Sequence, residues 1–370
     1  MILDALTVTR RRVGGFALLM VLMLIAAASV VGISYIYGTQ VKTASTGNLM
    51  LASKARYLAE SGLQHGLCAL QTGALPLGSA AAPNGPYHID AGDGGYVFHI
   101  TPTPTPNDYK IVATGTEGGI SQTVAMTVRL TSDYAQKMID DIAPTYWWRL
   151  GDSGLTAVDA RGLHNGTYVN GVTREVDGAL LGDVDTAAEF NGNNDYVNLG
   201  EIGDLSGARL TFGCWARADG WADSNPRLIS RSSGTDIYER RWQLSCTDAR
   251  KLRFDLKLKN TLTTVTGDTP VQLGQWFFVV CVYNRDTHRM RIYLNGELDG
   301  TLENVLNEDI NDAANVEVWI GDCPYIPGQR QWSGAVDEAF IMKNRALTPT
   351  KIRELFDARI PKTEVISWDD

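Results

Sequence analysis

Histidine and cysteine are scarce in this chain of 370 residues, with five of each, and neither falls into a metal-binding or catalytic spacing. The absence of a Cys-x-x-Cys pair or a group of histidines removes the usual zinc signatures. Positive charge is also in deficit: 33 Lys and Arg stand against 42 Asp and Glu, a net charge of −9. That balance excludes a general nucleic-acid binder, whose affinity would rest on neutralising phosphates. Charged residues make up 20% and hydrophobic ones 44%, so the chain is not a disordered polymer and has the material for two or three domains. The charge is unevenly placed. Residues 1–70 carry Arg10, Arg11, Arg12, Lys42, Lys54 and Arg56 against Asp4 and Glu60, a balance of +4, which leaves −13 for the remaining 300.

Charge is absent altogether from residues 16–36, a 21-residue apolar run that begins at Phe16. At 1.5 Å per residue such a helix spans about 30 Å, the hydrocarbon thickness of a bilayer. Arg10, Arg11 and Arg12 precede it, which orients the N-terminus to the cytoplasm and the rest of the chain to the far side. A cleaved secretory signal would have a shorter apolar core ending in a small-x-small site, whereas here no breaker follows Ala28. Proline is also missing from residues 37–70, where Leu51, Ala55, Leu58, Gly62 and Leu67 recur near helical spacing. Span and stem together read as one helix of about 80 Å.

The basic leader Arg10-Arg11-Arg12-Val13-Gly14-Gly15-Phe16 followed by the apolar run resembles the type IV pilins and the pseudopilins of type II secretion. In that family a prepilin peptidase cuts after the glycine and methylates the new N-terminus. The resemblance therefore implies cleavage between Gly15 and Phe16, a single-pass inner-membrane stage with a periplasmic body, and helix-to-helix assembly with other pilin subunits. Residues 52–63 look like the second half of a minor-pilin stem. Most major pilins carry glutamate at the fifth mature position; here it is Met20. Such a glutamate neutralises the ammonium group of the subunit ahead, and a subunit with none ahead needs no partner, which implies a place at the filament tip.

Residues 71–86 are rich in Gly, Ala and Pro and read as a loop. Three β-rich runs follow at 96–100, 109–113 and 122–130, and the Thr-Pro repeat at 101–106 reads as a stiff extended connector. A small antiparallel sheet packed on the stem is the expected arrangement. From Tyr146 onward, turn signals recur every 8–12 residues, and several runs alternate apolar and polar residues, with Asn295-Gly296 as a hairpin turn. An antiparallel sandwich follows. The expected organisation is a leader at 1–15, a transmembrane and stem helix at 16–70, and a small pilin-like β domain at 71–131. A linker at 132–145, the sandwich at 146–360 and a tail at 361–370 complete it. The fold class is α+β and mostly β.

The landmarks Tyr146-Trp147-Trp148, Asn165-Gly166-Thr167-Tyr168, Phe190-Asn191-Gly192, Thr211-Phe212-Gly213-Cys214-Trp215, Gly274-Gln275-Trp276, Ile292-Tyr293-Leu294-Asn295-Gly296 and Gly334-Ala335-Val336-Asp337-Glu338 follow one another in order. This resembles the laminin-G-like, concanavalin-A-like jelly-roll superfamily, which hosts lectins and glycoside hydrolases alike. Its hydrolases show a Glu-x-Asp-x-Glu strand, absent here. Glu317 has no acidic residue at i±2, and Asp337 and Glu338 are adjacent, hence expected on opposite faces of a strand. The expectation is therefore a binding protein and no enzyme, displaying a lectin-like domain for adhesion to glycan or protein. A pseudopilus tip recognising secreted substrate and a membrane-anchored glycan hydrolase are the alternatives. Trp221, Tyr238, Tyr325 and Trp332 lie in loop-like stretches and are the candidate sugar platforms, each able equally to cover the sandwich edge. The resemblance also implies a structural Ca2+, with Asp337 and Asp152 as its candidate ligands. Of the five cysteines, up to two disulfides are expected beyond the membrane.

Overall fold

The computed structural model describes residues 20–28, 45–72, 82–88, 94–221, 224–232, 240–259, 261–310, 312 and 316–369. Two compact units emerge. One takes residues up to 103, 108–128 and 365–370; the other takes 104–107 and 129–364.

In the first unit, residues 20–28 form helix α1 and Ser45–Thr72 forms helix α2. Helix α2 has no proline and buries a stripe of Ala55, Ala59, Leu63, Ala69 and Leu70. Small residues on that stripe let it lie directly on strand β3 (Asp108–Glu117), whose Gly115 faces α2 backbone: a Cβ there would stand 2.1 Å from the Ala55 carbonyl oxygen. The sheet runs β1 (Asn84–His88), β2 (Gly95–Pro102), β3, β4 (Ile120–Thr131) and β21 (Lys362–Asp369). Phe98, Ile100, Ile111, Ala113 and Val128 are buried in this unit.

Three expectations are revised here. Among the described residues no helix is long and apolar enough to cross a membrane. The single rod over 16–70 is described only as α1 and the polar, sheet-packed α2, so a pilin-type N-terminus is not supported. Gly15 and Phe16 lie outside the described residues. The Thr-Pro repeat is a hairpin rather than a connector: Thr101 pairs with Lys110 and Pro102 with Tyr109, and the Thr103 N–H donates to the Asp108 carbonyl at 2.9 Å. Prolines end the ladder without extending the chain, and Asn107 at φ 64° closes the turn. The expected tail is strand β21.

The second unit is two antiparallel sheets face to face. The first has eight strands in the order β15 (Thr261–Pro270), β14 (Lys251–Leu258), β13 (Arg240–Cys246), β12 (Arg227–Ser232), β19 (Glu317–Ile320), β10 (Tyr196–Asn198), β7 (Gly166–Val169) and β6 (Thr156–Ala157). The second runs β18 (Glu297–Glu303), β17 (Arg289–Leu294), β16 (Trp276–Asn284), β11 (Arg209–Gly220), β20 (Ser333–Lys343), β9 (Ala187–Asn191) and β8 (Thr173–Val176), with β5 (Tyr146–Trp148) also pairing β20. Between them lies one core that includes Phe212, Trp242, Phe254, Val279, Ile292 and Ile320.

The outer face of the second sheet is covered as well. Trp215, Phe278 and Phe340 pack under Tyr134, Met138 and Ile142, and under Ile352, Leu355 and Phe356 of helix α4 (Pro349–Asp357). Thr348 caps α4 by accepting from the Lys351 N–H, and Pro349 opens its first turn. The expected linker at 132–145 therefore belongs to the domain: its helix α3 (Tyr134–Lys137) and the turn Met138–Ile142 bury three apolar side chains completely. All five cysteines are free, so no disulfide forms.

Candidate functional site

Alternation along a strand sends successive side chains to opposite faces. In the eight-stranded sheet, Ala157, Tyr168, Val197, Ile320, Ile229, Leu244, Phe254 and Val265 point into the core. Their neighbours point the other way and align in register across every strand. Thr156 pairs with Thr167, Thr167 with Asn198, Asn198 with Trp319, and Trp319 with Ser230. Ser230 pairs with Gln243, Gln243 with Asp255, and Asp255 with Thr264. One polar row thus crosses the whole sheet, about 34 Å at the usual strand spacing, broken by a single aromatic.

The row is not a solvated surface. Ser230, Gln243 and Asp255 are at most 1% exposed and Trp319 is 7% exposed. Asp255 is fully engaged on one side: its Oδ1 accepts from Arg253 Nε at 2.9 Å and from Thr264 Oγ1, and its Oδ2 accepts from Gln243 Nε2. Trp319 stacks on Tyr196 with ring centroids 3.9 Å apart and 14° between planes, and its Nε1 donates to Glu317 at 2.8 Å. Burial, then Glu317 and Asp322, holds the Tyr196 hydroxyl above its ordinary pKa. By contrast, Ser230 Oγ, Ser232 Oγ and Gln243 Oε1 are buried with no hydrogen-bond partner. Buried polar atoms are almost always paired, and leaving one bare costs about 1–3 kcal/mol. The row thus holds buried hydroxyls and an amide with open valences beside a stacked aromatic pair.

Of the four aromatics expected to form sugar platforms, Tyr238 lies outside the described residues. Trp332 is fully buried in the sandwich core and stands edge-on to Trp221, which is half-buried and covered by Arg250. Tyr325 is buried and hydrogen-bonds Arg227 on the polar face. Trp332 and Tyr325 are therefore packed side chains rather than exposed platforms: both lie on the chain returning from β19 to β20 and are turned inward. Tyr196, Ser230, Gln243 and Trp319 escaped the sequence reading. Their only signal was alternation in short strands such as Glu317–Ile320, too short to show which face is covered.

The expected Ca2+ pair is not assembled. Asp152 Oδ2 accepts from Tyr168 OH at 3.0 Å and from the Val158 N–H, while Asp337 Oδ2 accepts from the Ala179 N–H at 2.8 Å. Among the described residues no three His, Cys, Asp or Glu side chains gather as a metal-binding group. What gathers instead is a guanidinium. Arg149 NH2 lies 2.8 Å from Asp183 and 2.8 Å from Glu338, its Nε lies 3.0 Å from Asp185, and it covers the Trp147 ring. These residues do not fit a Ca2+ ion: an internal cation already occupies the centre of the acids.

The same strand corrects the expectation that Asp337 and Glu338 face opposite ways. Glu338 has φ 55°, and the pairing of β11 with β20 shifts between Gly213 and Trp215. This bulge sets the two carboxylates on one side, Glu338 accepting from Trp147 Nε1 and Arg149. Burial and the mutual repulsion of the pair push Asp337 well above the carboxylate range, and burial pushes Glu338 up to about 7 against the pull of Arg149.

Residues 191–353 match the concanavalin A-like lectin/glucanases superfamily, and this segment adopts that jelly roll. Similar solved structures include the native heptameric SAP-like pentraxin from Limulus polyphemus, 21% identical over 40% of this chain and 69% of that one, with a TM-score of 0.32. Domain 4 of AbnA, an extracellular arabinanase from Geobacillus stearothermophilus solved with arabinotriose, is 18% identical over 57% of this chain and 97% of its own, with a TM-score of 0.39. The CBM40 of the IT-sialidase from Ruminococcus gnavus, bound to alpha2,3 sialyllactose, is 15% identical over 46% and 96%, with a TM-score of 0.40. No curated protein matches the chain.

Proposed function

We propose that this protein is a lectin-like glycan-binding protein whose N-terminal helix tethers it to an apolar environment. The observation that carries the binding reading is the buried row of Ser230 and Gln243 with open polar valences beside the Trp319–Tyr196 stack. Sugar hydroxyls both donate and accept, which suits these groups, and the apolar face of a pyranose suits a stacked aromatic. Binding without hydrolysis is the favoured chemistry. On β14 the residues flanking Asp255 on the same face are Arg253 and Lys257 rather than a second carboxylate.

The tether reading rests on α1. Met20, Val21, Leu22, Met23, Leu24 and Ile25 are each between 50% and 58% exposed, so apolar side chains stand outward all round this helix. Such a helix is stable only against lipid or other apolar helices. The finer reading, a minor-pilin-like subunit matured between Gly15 and Phe16 with the sandwich displayed outside the inner membrane on a pilus or a secretion pseudopilus, rests on the Arg10–Arg12 leader and the apolar run that follows it in the sequence. Two experiments test the proposal. Purified full-length protein is applied to a glycan array beside a Tyr196→Ala, Gln243→Leu variant; binding by the parent and about tenfold loss in the variant are expected, and equal binding by both refutes the site. Mass spectrometry of the mature N-terminus, with the peptidase present, is expected to find methylated Phe16; retention of Met1 refutes the filament reading.

A further inference from the structure

Arg227, the first residue of β12, is only 4% exposed, yet among the described residues it forms no ion pair. Its NH1 donates to the Asn225 carbonyl, its remaining contact is the Tyr325 hydroxyl, and its Nε is buried with no acceptor. The other buried arginine described in this domain is paired, Arg231 sitting 2.8 Å from Asp312, and the half-buried Arg149 meets three carboxylates. A guanidinium without a counter-charge loses several kcal/mol of hydration with nothing to offset it. Burial accordingly lowers its pKa, with only Cys323, Tyr325 and Asp255 acting in the other direction.

The position is specific. Arg227 is paired in register with Ser245, and Ser245 with Arg253, so its side chain lies on the polar face rather than in the core. Gln243 is two residues along β13 from Ser245, about 7 Å. Asp255, the carboxylate that acts on Arg227, is committed to Arg253, Thr264 and Gln243, and Asp322 nearby accepts from the Gly328 N–H at 2.7 Å. A second arginine stands at the rim. Arg330 is joined to Arg227 through the backbone, the Arg227 N–H donating to the Arg330 carbonyl at 2.8 Å, and its NH1 reaches only neutral oxygens of Ser224. Its Nε too has no acceptor.

We propose that the ligand of the polar face carries an anionic substituent, a carboxylate or a sulfate ester, which docks on Arg227 with Arg330 at the rim. This deepens the glycan reading and rests on it for the sugar part of the ligand alone. The planar fork of a guanidinium matches either oxyanion with two parallel hydrogen bonds, and Arg227 Nε–H is the donor left without an acceptor. The neutral part of the ligand then falls across Ser230 and Gln243. A site of this kind is a liability to the empty protein, because the charge is buried in advance of its partner.

The test uses the full-length protein on an array of matched neutral, uronate-bearing, sialylated and sulfated glycans. Acidic members are expected to bind at least about tenfold more tightly than their neutral counterparts, the worth of one charge-assisted hydrogen bond. Arg227→Gln should abolish that preference, and Arg227→Lys should restore part of it; the carboxylate and sulfate arms identify which group is taken. In the absence of ligand, Arg227→Gln should melt within about 2 °C of the parent or above it. Equal binding of neutral and acidic members, unchanged in Arg227→Gln, overturns the proposal. So does a fall in melting temperature beyond about 5 °C in that variant, which would make Arg227 a structural residue. A second readout separates this proposal from the reading beneath it. Sodium acetate and sodium sulfate, compared with chloride at equal ionic strength, should raise the melting temperature of the parent more than that of Arg227→Gln. If that difference appears while no glycan binds, the anion site stands and the glycan reading falls. If glycans bind and the difference is absent, the anion site falls.

Discussion

Arg149 and the bulge at Glu338 set the electrostatics of the sandwich. Arg149 contacts Asp183, Asp185 and Glu338 at once, and deleting one side of such a partly buried group leaves uncompensated charge worth about 3–5 kcal/mol. Arg149→Met should therefore lower stability by that order in chemical denaturation, and Arg149→Lys should recover less than half, since an ammonium cannot fork to three acids. The carboxylate pair predicts a pH dependence of definite sign. Both acids have folded pKa values above their ordinary ones, so the folded state holds protons that the unfolded chain has released. Stability present at acid pH is then lost as pH rises from about 4.5 through about 7, the pair titrating together. Asp337→Asn keeps an oxygen for the Ala179 N–H and removes the repulsion. Melting curves between pH 5 and pH 8 should show a slope in the parent that this variant flattens. Asp337 was legible as an important acid from the order of landmarks. Its relation to Glu338 was not, because a bulge breaks the alternation on which any two-residue reading depends.

Elements were legible where their periodicity ran long and misread where tertiary pairing decided. Strand β16 and helix α4 follow from an unbroken β-branched and aromatic run and from a capped, amphipathic segment. The Thr-Pro repeat misled because proline fixes φ locally but says nothing of whether the chain turns back. Strand β21 was invisible because its side chains are mostly exposed, Val365, Ile366 and Trp368 among them, and its place comes from backbone pairing rather than from a buried face. The packing of α2 on β3 has one narrow requirement. At Gly115 an added Cβ would fall 2.1 Å from the Ala55 carbonyl oxygen and 2.4 Å from the Ala59 nitrogen, neither of which moves without the helix. Gly115→Ala is expected to destabilise the first unit by about 2–4 kcal/mol, within the range of overpacking and backbone strain. Limited proteolysis should read it as faster cleavage within α2.

At the scale of the whole molecule, the order of landmarks identified the jelly roll because each one marks a strand end or core aromatic that the two-sheet architecture needs. The polar row was not legible in the same way. It exists only once eight strands from distant stretches come into register, and residues such as Thr156, Ser230 and Thr264 become neighbours through topology alone. The same distinction governs calcium. Resemblance implied an ion at the acidic end of the sandwich, but folding brings Arg149 to the centre of Asp183, Asp185 and Glu338, and Asp152 accepts from the Tyr168 hydroxyl. A bound ion stabilises by RT ln(1 + [L]/Kd), so a site with a Kd of 10 µM would add about 2.7 kcal/mol at 1 mM Ca2+. That would appear as a melting shift of several degrees in a domain of this size. The full-length protein should instead melt at one temperature in 1 mM EDTA and in 1 mM CaCl2. Arg149→Ala should gain a Ca2+-dependent shift, because removing the guanidinium leaves Asp183, Asp185 and Glu338 as hard oxygens around an open centre. A Ca2+ shift in the parent protein would mean that the acids close on an ion despite Arg149.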